Sequence, residues 1–148
     1  MKPSPTMQQV VQRLTKQHGV DLLALDTFLR LDLAGHDSLV IDHVGTAQLA
    51  VAHCFAQEGE WFVEREVLFF IQAQRGWIPM EITQLPTGWT AYAKLDANGH
   101  CLLRVNHCGQ EKLADFTEQW ARKLLAQGWL EHSVAYTPWA SPTRKEWS

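Results

Sequence analysis

The stretch from Ser38 to Trp61, SLVIDHVGTAQLAVAHCFAQEGEW, constrains this chain more than any other. Leu39, Ile41 and His43 alternate with Val40, Asp42 and Val44, and Leu49, Val51, His53 and Phe55 alternate with Ala50, Ala52 and Cys54. Strand side chains change face with period two, so each run is a half-buried strand. A one-residue slip would send a whole apolar set to the wrong face. A three-residue loop, Gly45-Thr46-Ala47, keeps the two sets together and offers a Gly for a positive φ. Leu39 should then face His53, Ile41 face Val51, and His43 face Leu49. The polar Gln-Glu-Gly-Glu segment that follows reads as a second turn.

The rest of the chain supplies strands and covers for this hairpin. Ser4-Pro5 opens a helix whose Met7, Val10, Val11 and Leu14 share one face, and Gly19 stops it. Asp21 caps a further short turn through Leu25. Leu29, Leu31 and Leu33 alternate as a strand. Val67 to Ile71 is apolar on both faces, as in a strand that lies mid-sheet or is covered on both sides. Ile78, Met80 and Ile82 alternate after Pro79. Trp89 to Leu95 is a further strand, and Asp96-Ala97-Asn98-Gly99 turns into a last strand, His100 to Asn106. Gln110 to Gln127 is the best helix, with Leu113, Phe116, Trp120 and Leu124 on one stripe and Glu118-Arg122 as an i,i+4 pair.

The expected class is α+β: an antiparallel meander of about six or seven strands between an N-terminal and a C-terminal helix. Residues 1–132 form one domain, and residues 133–148, with two prolines, form an irregular tail. A chain of 148 residues can bury a core without staples. The three cysteines form no C-x-x-C pair, so a reducing cytoplasm is the expected setting. No apolar run approaches a membrane span, and MKPSPTMQQ lacks a signal peptide's apolar core.

The order SLVIDHVG, VAHCFAQEGEW, WIPMEITQLPTGWTAY and DFTEQWARKLLAQGWL, over roughly residues 28 to 130, resembles a family of small bacterial proteins of unknown function often carried on phages, plasmids and integrative elements. Its stretches include a Val-Ala-His strand, a Gln-x-Gly-acid turn, a Trp-x-Pro strand and a Phe-x-x-x-Trp helix. Cys54 stands where an aromatic is common. The resemblance implies the fold and a mobile-element setting, and no activity.

Charge gives the first functional expectation. Net charge is −3, but residues 21 to 66 hold nine acids against Arg30 and Arg65 alone. Asp37, Asp42, Glu58, Glu60 and Glu64 fall in a stretch with no Lys or Arg, and they form the candidate binding surface for a protein with a basic face. The same carboxylates can serve only to protect a sheet edge. The chain is therefore read as a non-catalytic cytosolic protein that binds another macromolecule, as an accessory or inhibitor protein of a mobile element.

Two rival readings stand beside it. His53, on the apolar parity with Glu58 and Glu60 following, is a candidate general base. No nucleophile elbow, phosphate loop or H-E-x-x-H accompanies it. Trp61, Trp77 and Trp89, near Arg75, Lys94 and Arg104, could stack single-stranded bases, although the acidic balance disfavours nucleic acid. His53-Cys54, His100-Cys101 and His107-Cys108 suggest zinc, but strand neighbours point to opposite faces and cannot share an ion. No metal or cofactor is expected.

Overall fold

The computed structural model describes residues 1–22, 24, 27–99 and 101–136. Its elements in chain order are α1 (Pro5–Gln17), β1 (Phe28–Asp32), β2 (Ser38–Gly45), β3 (Gln48–Gln57), β4 (Glu60–Gln72), β5 (Gly76–Gln84), β6 (Gly88–Ala91), β7 (Ala93–Leu95), β8 (Leu102–Val105), α2 (His107–Gln127), α3 (Trp129–His132) and β9 (Val134–Ala135). The strands from β1 to β6 run as an antiparallel meander in one sheet, ordered β6-β5-β4-β3-β2-β1-β9, and β7 pairs β8 in a small second sheet.

The central hairpin has the expected register: Leu39 faces His53, Ile41 faces Val51 and His43 faces Leu49. The loop differs. Gly45 pairs with Gln48, and the ladder shifts between His43 and Gly45. The turn is therefore Thr46-Ala47, the extra residue sits in the strand as a bulge, and Gly45 keeps a negative φ. At the other end of β3, Glu58 and Gly59 have φ of 54° and 81°, the pair of positive values that a two-residue type I′ hairpin needs.

One face of the sheet carries the main core. Leu31, Leu39, Ile41, Leu49, Val51, Val67 and Phe69 meet Met7, Val11 and Leu14 of α1 and Leu113, Ala121 and Leu124 of α2. Truncating one of these, for example Leu124→Ala, costs about 2–5 kcal/mol by loss of transfer energy and a new cavity. β4 is apolar on both faces because the β7-β8 ribbon covers its other side, where Phe70 packs with Ile78, Met80 and Ala93. The expected strand from Trp89 to Leu95 is split at Tyr92, whose N–H donates to the Met80 carbonyl while its own carbonyl accepts from Asn106 N–H. Pro79 lies within β5, beside a register shift between Leu68 and Phe69 that accommodates its missing donor.

The helices are fastened to each other by polar contacts. Ser4 precedes α1 but does not cap it with its own side chain. The Glu118 carboxylate of α2 does so instead, accepting from Thr6 and Met7 N–H and from the Ser4 and Thr6 hydroxyls at 2.8–3.2 Å. The expected Glu118-Arg122 pairing gives way to this contact, because an acid at a helix N-terminus meets both unpaired N–H groups and the positive end of the dipole. Buried Gln110 bonds the backbone N–H and carbonyl of Lys2 and the carbonyl of Pro79. Asn106 caps α2 through Gly109 N–H, and Gly128 ends it in the left-handed region.

The expected irregular tail is corrected at its start: Val134 and Ala135 add a strand beside β1, against Asp32 and Leu31. Arg30 then lies between the rings of Trp61 and Tyr136, at 4.5 and 4.3 Å. Residues 137–148, with Trp139, lie outside the described residues, as do Leu23 and Leu25 of the short turn expected from Asp21.

Candidate functional site

β3 and β4 outrun their neighbours. β2 stops pairing at Ser38, opposite Cys54, and β5 stops at Gln84, opposite Arg65. Among the described residues, Phe55, Ala56 and Gln57 pair only with Phe62, Trp61 and Glu60, so the hairpin continues as a two-stranded arm roughly 10 Å long. Phe55 stacks on Phe62 with ring centroids 5.5 Å apart, and Phe62 and Val63 are exposed. Glu58 and Glu60 are exposed at its tip.

At the root of the arm the ladder shifts: His53 faces Arg65, whereas Cys54 faces Val63. Glu64 is the extra residue. Neighbours on a regular strand face opposite ways, but this bulge lets Glu64 and Arg65 both line a cleft of about 310 Å³. Gly35, His36 and Asp37 from the β1-β2 turn form one wall of it. His53 contributes from β3, and Trp120, Lys123 and Gln127 come from the C-terminal half of α2.

Three nitrogens around this cleft lie buried with no hydrogen-bond partner among the described residues: His53 Nε2, Arg65 Nε and Trp120 Nε1. A buried donor left unpaired costs about 1–3 kcal/mol, so three around one cleft are unusual. Their rings are stacked together. His53 meets Trp120 edge-on at 5.3 Å and Trp129 at 5.8 Å, and the Arg65 guanidinium lies over the rings of Phe116 and Trp120 at 4.9 and 5.4 Å. Trp120 itself is only 3% exposed.

Burial, reinforced by the facing Arg65 charge and opposed by Asp37, pulls the His53 pKa down to about 4. The imidazole is neutral at pH 7. Glu64 hydrogen-bonds to Asp37, which, with partial burial and the Asp37 charge, raises its pKa. Cys54, on the opposite face from His53, is buried, and burial pushes its thiol up to about 11, where it is unreactive. Cys101 and Cys108 are exposed and free. Among the described residues no three His, Cys, Asp or Glu side chains gather as metal ligands.

The predicted site residues thus separate into three places. Asp37 and Glu64 meet in the cleft beside His53. Glu58 and Glu60 sit at the arm's tip: Glu58 is in the turn, and Glu60 lies opposite Gln57, four residues along β3 from His53 or roughly 13 Å. Asp42 lies on the sheet face away from the helices. Glu66, on that face too, has its pKa raised by burial first and then by Asp42 and Glu81. Of the three tryptophans considered for base stacking, Trp77 is in the core, Trp61 lies under Arg30, and Trp89 is 58% exposed with its indole N–H bonded to Glu81. Arg65, His36, Lys123 and the Trp120 indole N–H are site features that periodicity alone did not mark.

A meander clamped on one face by two helices, with a polar cleft where a projecting hairpin leaves the sheet, defines an α+β domain built around the β3-β4 pair. The chain belongs to the family described as a domain of unknown function, DUF6908, whose model matches residues 6–130. No curated protein and no solved structure matches the chain. No helix among the described residues is long and apolar enough to cross a membrane.

Proposed function

We propose that this protein is non-catalytic and acts by binding another protein with a basic surface, through the β3-β4 arm and the carboxylates at its tip and root. The observation that carries this reading is the arm itself. Among the described residues, β3 past Cys54 and β4 past Glu64 have no second neighbouring strand, and the arm presents a partly exposed aromatic flank below an acidic tip. Phe62 and Val63 remain 37% and 39% exposed, and a partner seated on the arm would cover that apolar area. Glu58 and Glu60 would steer a basic partner, and Asp37 and Glu64 continue the acidic path into the cleft. Asp42, on the other face, takes no part in that contact. The cytoplasmic setting and the role as an accessory or inhibitor protein of a mobile element are carried by the free thiols and by the resemblance of the strand and helix motifs.

A general-base role for His53 has one observation in its favour, a neutral imidazole at the cleft. Three others weigh against it. A base with a pKa of about 4 is weak at neutral pH, since efficient catalysts are tuned near the working pH. Glu58 and Glu60 are too far away to assist it. Among the described residues, no Ser, Thr or Cys lines the cleft as a nucleophile.

The test is the double variant Glu58→Lys with Glu60→Lys. Both sites are exposed, so unfolding stability should change by less than about 0.5 kcal/mol per site. Association with a partner captured by the wild-type protein should slow about tenfold or more at low salt and converge with wild type at high salt. An unchanged association rate at low salt would sink the proposal.

A further inference from the structure

Beside Asp37 and Glu64, the cleft at the arm's root holds donors that the protein-binding reading does not use. Trp120 Nε1 and the Arg65 guanidinium can only donate, Lys123 adds three further donors, and Gln127 and His36 can donate from the rim. The acceptors nearby, Asp37 and Glu64, are hydrogen-bonded to each other. The two carboxylates share the cleft with the two positive charges of Arg65 and Lys123. No described residue accepts from Trp120 Nε1 or Arg65 Nε, and Trp120 is almost wholly buried beside the cleft.

We propose that this cleft is a binding site for an oxyanion, a carboxylate or phosphate group on a small molecule, seated on Arg65 and Lys123 with the Trp120 indole N–H beneath. Arg65 lies over the Trp120 ring and is the long flexible side chain of the set. An anion that draws the guanidinium toward it uncovers the indole nitrogen, so both unpaired donors gain an acceptor in one movement. The bulge at Glu64 is what aims Arg65 at the same opening as its neighbour. The site is independent of the arm's tip: a small anion needs neither Glu58 nor Glu60.

Sodium phosphate and sodium acetate, each titrated into ¹⁵N-labelled full-length protein against sodium chloride at matched ionic strength, test the proposal. The readout is the indole N–H resonance of Trp120, assigned by its loss in Trp120→Phe. A saturating shift with phosphate or acetate, absent with chloride, is expected, and the tighter of the two anions identifies the group. Arg65→Gln should weaken the anion about tenfold or more, as loss of a charge-assisted contact does. Lys123→Gln, at an exposed helix position that does not affect folding, should weaken it severalfold. The double variant Glu58→Lys with Glu60→Lys should bind the anion like wild type, which separates failure here from failure of the protein-binding reading. No saturating shift with either anion would overturn the proposal. So would a saturating shift with guanidinium chloride alone, which would assign the cleft to the Asp37-Glu64 pair, or titrations of Arg65→Gln and Lys123→Gln that match wild type.

Discussion

His53 should make this protein sensitive to mild acid in a way that one substitution removes. The imidazole lies between Leu39 and Arg65 on the helix-covered face, against the rings of Trp120 and Trp129. Burial and the Arg65 charge favour its neutral form, with a folded pKa of about 4 against 6.5 when exposed. A histidine whose folded pKa is depressed contributes stability that is present above the unfolded pKa and is lost as pH falls toward the folded one. Each pKa unit is 1.36 kcal/mol, so unfolding should become easier by about 2 kcal/mol from pH 7 to pH 5 and by about 3 kcal/mol by pH 4. That is a large share of the roughly 5–15 kcal/mol that holds a domain of this kind. Urea unfolding at pH 7, 6 and 5, on wild type and on His53→Phe, measures it. The aromatic replacement keeps a ring against Trp120 and removes the titration. Carboxylates contribute the same slope to both proteins, so the difference between them isolates His53. If the two curves stay parallel within about 0.5 kcal/mol between pH 7 and pH 5, the imidazole is not held neutral by burial and this account of the cleft fails.

Glu118→Gln should destabilise the fold by about 1.5–3 kcal/mol, because it removes the charge from hydrogen bonds that cap α1; chemical unfolding checks the size, and a loss below about 0.5 kcal/mol would refute the cap. Glu66→Gln should raise the melting temperature at pH 7. Its folded pKa is raised, so the charged form opposes folding above the usual glutamate range and the gain should vanish as the wild type is protonated at lower pH; an unchanged or lower melting temperature would contradict this. Gly109→Ala should destabilise by about 1–3 kcal/mol although alanine favours helix, because the new methyl would overlap the Tyr92 ring; a gain in stability would show that Tyr92 yields freely.

The hairpin register was legible because one face of it is buried, and burial leaves only one pairing in which Leu39, Ile41, Val51 and Leu49 meet. The same parity placed His53 inward. Parity then failed where the backbone itself changes period. The bulge at Glu64 carries no residue signature, so the joint exposure of Glu64 and Arg65 to one cleft could not be seen in the alternation of β4. Trp120 was readable as a core residue from its helical spacing, but that spacing says nothing about whether the indole N–H finds an acceptor. A helical wheel pairs Glu118 with Arg122 because local partners are the only ones it displays; the actual partners of Glu118 are 111 and more residues away in the chain. The split at Tyr92 was hidden for a like reason, since continuous alternation from Trp89 to Leu95 does not reveal a change of sheet.

The contact between Glu118 and α1 also bears on the order in which the protein can be made. Translation delivers α1 first, at roughly 5–20 residues per second, with its leading N–H groups unmet. The meander that follows can form hairpin by hairpin as each strand emerges, because every pair from β1 to β6 joins sequence neighbours. α1 cannot complete its N-terminus until residue 118 has left the ribosome. A nascent chain stalled short of that point would therefore hold a nearly finished sheet with its apolar face covered by at most one uncapped helix, the state in which a chaperone would find most to bind.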